Sequence, residues 1–264
     1  MNKLVTSVFF TLAILIFSPL LRADPQTILA EMQTMRLAAT NAVTSFYMFS
    51  GLDADSKYAQ RIDTNFERFE TSLEQVSLQA QAIGLVEEVS TIEHDWAEFK
   101  QLTNNNRADM LNIGYPNVRL VDDMGRKALA LVNLISSSYA KLASTSGMAP
   151  PAIVQQARNM ALLMEEITSQ YAARGTSVLG QVFLGVQKQT LTEMADKFQL
   201  DYLALKEMAK DKRSQVILDS IGSKWGFMER SIRNYNENSV PFLVVSYNDR
   251  IVGHLQELDD LYHN

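Results

Sequence analysis

Apolar residues along this chain recur by threes and fours nearly throughout. Tyr58, Ile62, Phe66, Phe69, Leu73, Val76, Ala80 and Ile83 fall on one stripe of a helix, with polar residues between them. Val118, Val121, Met124, Ala128, Leu131, Ile135 and Leu142 form a second such stripe. Val240-Pro241-Phe242-Leu243-Val244-Val245 looks like a strand in isolation. Its continuation through Tyr247, Ile251, Leu255, Leu258 and Leu261 restores the helical spacing, and Ser239 can cap a helix whose early proline is tolerated. The segment is therefore expected to be helical.

The pattern predicts eight helices, at roughly 26–50, 54–82, 86–103, 114–144, 151–176, 186–209, 213–234 and 239–262. Breaks between them carry the appropriate residues. Ser50-Gly51-Leu52-Asp53 separates the first pair, Gly84 ends the second helix, and Asn104-Asn105-Asn106 ends the third. The linker-like stretch Ser144 to Pro151 falls at mid-chain, where Pro150 and Pro151 cannot continue a preceding helix.

Matched landmarks suggest that the two halves repeat. Val89, Ile92, Trp96 and Phe99 align with Leu218, Ile221, Trp225 and Met228 at a shift of 129 (96 to 225). The same shift carries Phe69, Leu73 and Val76 onto Phe198, Tyr202 and Leu205. Thr44, Ser45 and Tyr47 meet Thr168, Ser169 and Tyr171 at a shift of 124 (44 to 168), and small gaps explain the difference. The expected fold is all-α: two tandem four-helix-bundle repeats, or one elongated helical bundle shared between them. The expected organisation is a signal peptide at 1–23, a first repeat at 24–144, a linker at 145–151 and a second repeat at 152–264.

Composition adds a compartment. Lys3, the uncharged apolar run from Leu4 to Phe17, Pro19 and the small residue Ala23 read as a cleavable export signal. The run is short of the ~20 residues a spanning helix needs. Cleavage would remove Lys3 and Arg22 from 24 basic residues and leave all 30 acidic ones, a net charge of about −8. That balance argues against nucleic acid and anionic lipid as partners. The absence of cysteine excludes disulfides, thiolate metal sites and haem attached through Cys-x-x-Cys-His. A periplasmic location is the expectation.

Four features together carry a family resemblance. They are Met32-Gln33-Thr34-Met35-Arg36-Leu37 and Gln155-Gln156-Ala157-Arg158-Asn159-Met160 in the two opening helices, the Phe69-x3-Leu73 and Phe198-x3-Tyr202 segments, and Trp96 and Trp225. This layout resembles the sensor module of type IV pilus chemotaxis transducers (PilJ-type) and its relatives in nitrate/nitrite sensor kinases. The family's opening motif is Arg-rich, whereas each half here keeps one arginine in it. The resemblance implies an all-helical ligand-binding module. Because the sequence stops at Asn264, directly after the last helix, any signal is expected to pass through a separate membrane-bound protein.

Arg36 and Arg158 are the candidate ligand-binding residues, since a guanidinium at a helix seam can hold a small anion by charge-assisted hydrogen bonds. A solvent-facing arginine covering apolar neighbours, or one paired with Glu165 or Glu166, is the plainer alternative. Phe69, Trp96, Phe198 and Trp225 are expected to be core. Met32, Met35, Met160 and Met164 are expected to fill that core, although haem ligation opposite His254 would use the same residues. His94, His254 and His263 fit no metal spacing, and neither nucleophile-elbow nor phosphate-cradling glycines occur. No catalytic residue, metal or cofactor is expected. Asn104–Asn106 and Asn234–Asn238 would be polar turns, or a partner face shared by the two halves.

The function expected is therefore that of a non-enzymatic periplasmic sensory or adaptor protein. It would bind a small anion or metabolite and act through a membrane-bound chemotaxis transducer, sensor kinase or pilus component. The alternative is a ligand-free structural or assembly partner of an envelope machine such as a type IV pilus. Seams on long helices also permit a homodimer.

Overall fold

The computed structural model describes residues 24–147, 149–175, 189–235 and 239–262, and the expected export signal lies outside them. Among the described residues the chain is all-α. The helices are α1 (Pro25–Gly51), α2 (Ser56–Ile83), α3 (Val86–Ile113), α4 (Val118–Thr145), α5 (Ala152–Gly175), α6 (Leu191–Met208), α7 (Lys212–Arg233) and α8 (Pro241–Tyr262). Helices α1 to α4 pack in a ring in which each touches the next and α4 returns to α1. Helices α5 to α8 form a second ring of the same kind, and α1 and α5 pack against each other to join the two.

Local chemistry sets most of the helix ends. Asp24, Asp55, Asn117 and Asp211 accept from first-turn backbone N–H groups, and Thr190 with Glu193 completes a reciprocal capping box. Gly84 ends α2 with φ 69°, a left-handed conformation that a side chain disfavours. The Val240–Val245 segment is helical as expected. However, Val240 rather than Ser239 supplies the first carbonyl, and its own N–H donates to the Tyr171 hydroxyl at 3.0 Å.

Helix α3 departs from expectation, running ten residues past Thr103 to Ile113 and ending at Gly114 with φ 80°. The Asn104–Asn106 run is therefore mid-helix, not a turn. Phe99, Thr103, Asn106 and Met110 are all buried and step by four, three and four, so the stripe continues through the asparagines. In the second half Asn234 caps α7, while residues 236–238 lie outside the described residues.

Of the described helices, six present one apolar stripe, but α1 and α5 are enclosed along most of their length. α1 buries 19 of its 27 residues. Small residues (Ala38, Ala39 and Ala42 on α1; Ala157, Ala161, Ala172 and Ala173 on α5) let neighbouring backbones approach closely. The two cores interlock across this pair. Leu37 of α1 packs into the second core, while Ala172 and Ala173 of α5 and Val245 of α8 pack into the first.

Phe69, Trp96, Phe198 and Trp225 are core residues, and the tryptophans occupy like surroundings. Trp96 stacks on Phe69 with centroids 3.7 Å apart, and its indole N–H donates to Glu70 at 3.1 Å. Trp225 packs on Phe198 at 4.4 Å, with its indole N–H donating to Gln199 at 2.8 Å. Met32 and Met35 lie in the first core, Met160 and Met164 in the second.

Candidate functional site

Enclosing α1 and α5 also encloses their polar residues, and those residues concentrate where the two helices meet. Some satisfy themselves locally: Thr40 and Thr44 donate back to the carbonyls of Arg36 and Thr40 at 2.9 and 3.1 Å. The rest form two clusters along the seam.

The first cluster holds both predicted arginines. Arg36 is 4% exposed and Arg158 2%. They converge on Tyr139 of α4. The Arg36 guanidinium lies over the Tyr139 ring, 4.4 Å from its centroid, and Arg158 Nη1 donates to the Tyr139 hydroxyl at 3.3 Å. Tyr139 in turn donates to Gln155 at 3.0 Å. Gln33 ties the helices directly, accepting from Arg36 and donating to the Arg158 carbonyl at 3.1 Å.

The two arginines differ in charge compensation. Arg158 is clamped by Asp259 of α8, with Nε and Nη2 donating at 2.6 and 3.0 Å. Burial works to lower its pKa, but the bonds to Asp259 and Tyr139 outweigh burial and raise it. The sequence pointed to Glu165 and Glu166 as rival partners; Asp259, 101 positions away, is the actual one. Arg36 has no carboxylate within ion-pairing distance among the described residues. It reaches only Gln33 and, at 3.4 Å, Ser136, and its buried Nε has no hydrogen-bond acceptor. Burial lowers its pKa to about 10; Arg158 acts in the same direction, while Tyr139 and Glu166 oppose.

The second cluster lies further along the seam, around Glu165. This side chain is 3% exposed, and both its oxygens accept from the Asn41 amide at 3.1 Å. Asn41 Oδ1 accepts from Asn65 at 2.9 Å and from Arg61 at 3.1 Å, and Arg61 also grips Asp249 at 2.5 and 2.9 Å. Burial raises the Glu165 pKa to about 7, against the effect of Asn41; Asp249 adds to the rise and Arg61 offsets it. Asn248 also lowers that pKa, though its fully buried amide stands at a geometry short of a hydrogen bond.

Neither His94 nor His254 joins either cluster. His254 lies 3.0 Å from the Ser220 hydroxyl, and His263 is outside the described residues. His94, Asp95 and Glu98 come close enough together to share an ion, but the Lys127 ammonium already meets the two carboxylates at 3.0 and 2.6 Å. No described helix is long and apolar enough to cross a membrane.

Fold and seam together define, among the described residues, an all-α arrangement of two four-helix rings joined through a buried polar interface. Compared with known protein families, with curated proteins and with solved structures, the chain matches none.

Proposed function

We propose that this chain is a non-enzymatic, exported sensory or adaptor module of the PilJ type, which binds a small anion at the α1–α5 seam. The observation that carries the reading is Arg36, a buried guanidinium with an orphaned Nε and, among the described residues, no carboxylate within ion-pairing distance. Holding an isolated charge away from water costs several kcal/mol, roughly, unless a counter-charge arrives. An anion seated on Arg36 supplies that counter-charge, and Arg158 beside it adds to the local positive potential. Because the same seam joins the two rings, a ligand that prefers one packing of α1 on α5 biases their arrangement. A membrane-bound transducer, kinase or pilus component would read that arrangement.

The test is a thermal-shift series with nitrate, nitrite, chloride and formate on the full chain and on Arg36→Met. A bound anion raises the melting temperature of the parent by mass action and leaves Arg36→Met unmoved. No response to any of these anions, or equal responses in both proteins, refutes the anion reading.

One observation favours the assembly-partner reading. Leu111, Ile113, Tyr115 and Val118 are all exposed around the α3–α4 turn, an apolar tip of the kind that contacts another protein.

A further inference from the structure

A cavity of about 290 Å³ opens beside the Glu165 cluster, between α1, α2, α5 and α8. It is separate from the anion site, since Arg36 does not line it. Its polar walls are Asn41, Arg61, Asn65, Arg68, Glu165 and Asp249, and Leu37 and Val252 supply an apolar patch. The volume is at the small end for ligand sites, suited to a metabolite of a few heavy atoms.

The charges lining this cavity are unequally matched. Arg61 and Asp249 hold each other in a two-pronged pair and cancel. Neither exposed Arg68 nor buried Glu165 has an oppositely charged side chain within ion-pairing distance among the described residues. The cavity thus offers one unmatched positive group and one unmatched negative group. A lone anion on Arg68 would face the fields of Glu165 and Asp249. A lone cation on Glu165 would make no use of Arg68, whose exposed guanidinium stands at the cavity mouth, and an apolar guest would strand Asn41, Asn65 and Glu165 without water.

From this geometry we infer that the cavity is a binding site for a zwitterionic amino acid with a short aliphatic side chain. The ligand carboxylate lies on Arg68, its ammonium on Glu165, and its side chain against Leu37 and Val252. Glu165 is ready for such a donor. Asn41 fills only part of a carboxylate's accepting capacity, and the bonds from Asn65 and Arg61 to Asn41 fix that amide in place. Burial leaves the carboxyl titrating near neutrality, so an arriving ammonium draws it to the charged form and releases a proton.

Isothermal titration calorimetry of the full chain with L-alanine, L-serine, L-valine and L-leucine tests this, with propionate and ethylamine as half-ligands. At least one amino acid is expected to bind, with each half-ligand weaker by about tenfold or more, as loss of a charged contact implies. Arg68→Ala and Glu165→Gln, checked as folded by circular dichroism, should each weaken the amino acid by about tenfold or more. Arg36→Met should not, which separates this site from the anion site. In buffers of different ionisation enthalpy at pH 7, the heats should reveal proton release that Glu165→Gln abolishes. Heat from none of the four amino acids, propionate binding as tightly as alanine, or indifference to either cavity substitution overturns the proposal.

Discussion

Asn41 and Glu165 stand 124 positions apart and meet across the α1–α5 seam, one amide nitrogen lying 3.1 Å from both carboxylate oxygens. The same spacing relates Thr44 to Thr168, Ser45 to Ser169 and Tyr47 to Tyr171, all of them buried. At this point α1 and α5 meet through a direct amide–carboxylate contact. That contact places an acid, Glu165, where it is almost wholly buried.

Stability should therefore fall as pH rises toward neutrality. The Glu165 carboxyl titrates at about 7 in the folded chain against 4.5 when unperturbed. Between those values the folded state binds more protons than the unfolded one, so the destabilisation is absent below about 4.5 and complete above about 7. Its ceiling is roughly 3 kcal/mol. Glu165→Gln should flatten most of this slope and make the chain more stable than the parent at pH 8, by about 1–3 kcal/mol. Burial also raises the Glu166 pKa, so a smaller slope of the same sign should survive. Urea melts of both proteins at pH 5 and pH 8 provide the comparison, and parallel slopes would refute it.

The two seam arginines should respond oppositely to substitution. Asp259→Ala strands the buried Arg158 guanidinium and should cost about 3–5 kcal/mol. Restoring an uncharged pair with Arg158→Met and Asp259→Leu together should recover much of that loss. Arg36→Met removes a buried charge that no carboxylate among the described residues pairs with, so without ligand it should be neutral or stabilising by about 1 kcal/mol. Denaturant midpoints under identical conditions test the contrast. A large loss in Arg36→Met would mean that Arg36 is a structural tie.

Gly222 sits inside α7 for a steric reason. A Cβ there would come 2.2 Å from the Tyr202 hydroxyl oxygen and 2.8 Å from the ring carbon bearing it. Tyr202 is pinned by donating to the Leu218 carbonyl at 3.1 Å. Gly222→Ala should cost about 1–3 kcal/mol in the parent. With Tyr202→Leu in place, matching Leu73 of the first half, the same alanine should be neutral or stabilising by about 1 kcal/mol, its ordinary helical advantage over glycine. A thermodynamic cycle over the four proteins measures the coupling, and additive effects would refute the clash.

Helix pattern was legible in the sequence wherever a helix has one wet face. The α2 and α4 stripes, the Gly84 stop and the helical Val240–Val245 segment were all readable for that reason. α3 was cut short because three asparagines look like a turn by composition, although Asn106 faces inward. The seam was the least legible part. α1 and α5 are enclosed on several sides, so periodicity cannot separate an inward arginine from an outward one. Arg36 and Arg158 drew notice through their motif, but Asp259, Asp249 and Arg61 did not. Their partners stand 101 and 188 positions away, with no local signature.

Because the cores interlock, the two rings should unfold as one unit. Leu37 belongs to the second core, and Ala172, Ala173 and Val245 belong to the first, so neither ring can open without exposing apolar surface of the other. Each ring carries one buried tryptophan, giving each its own fluorescence reporter. Trp225→Phe leaves Trp96 to report on the first ring, and Trp96→Phe leaves Trp225 to report on the second. Each replacement removes an indole hydrogen bond, to Glu70 or Gln199, and leaves a small cavity in the core, and should cost about 2–4 kcal/mol. Within each variant the fluorescence transition should then coincide with loss of helical circular dichroism, as two-state behaviour requires. A fluorescence midpoint well separated from the circular dichroism midpoint in either variant would mean that the rings unfold independently. The α1–α5 seam could not then transmit a ligand's preference from one ring to the other.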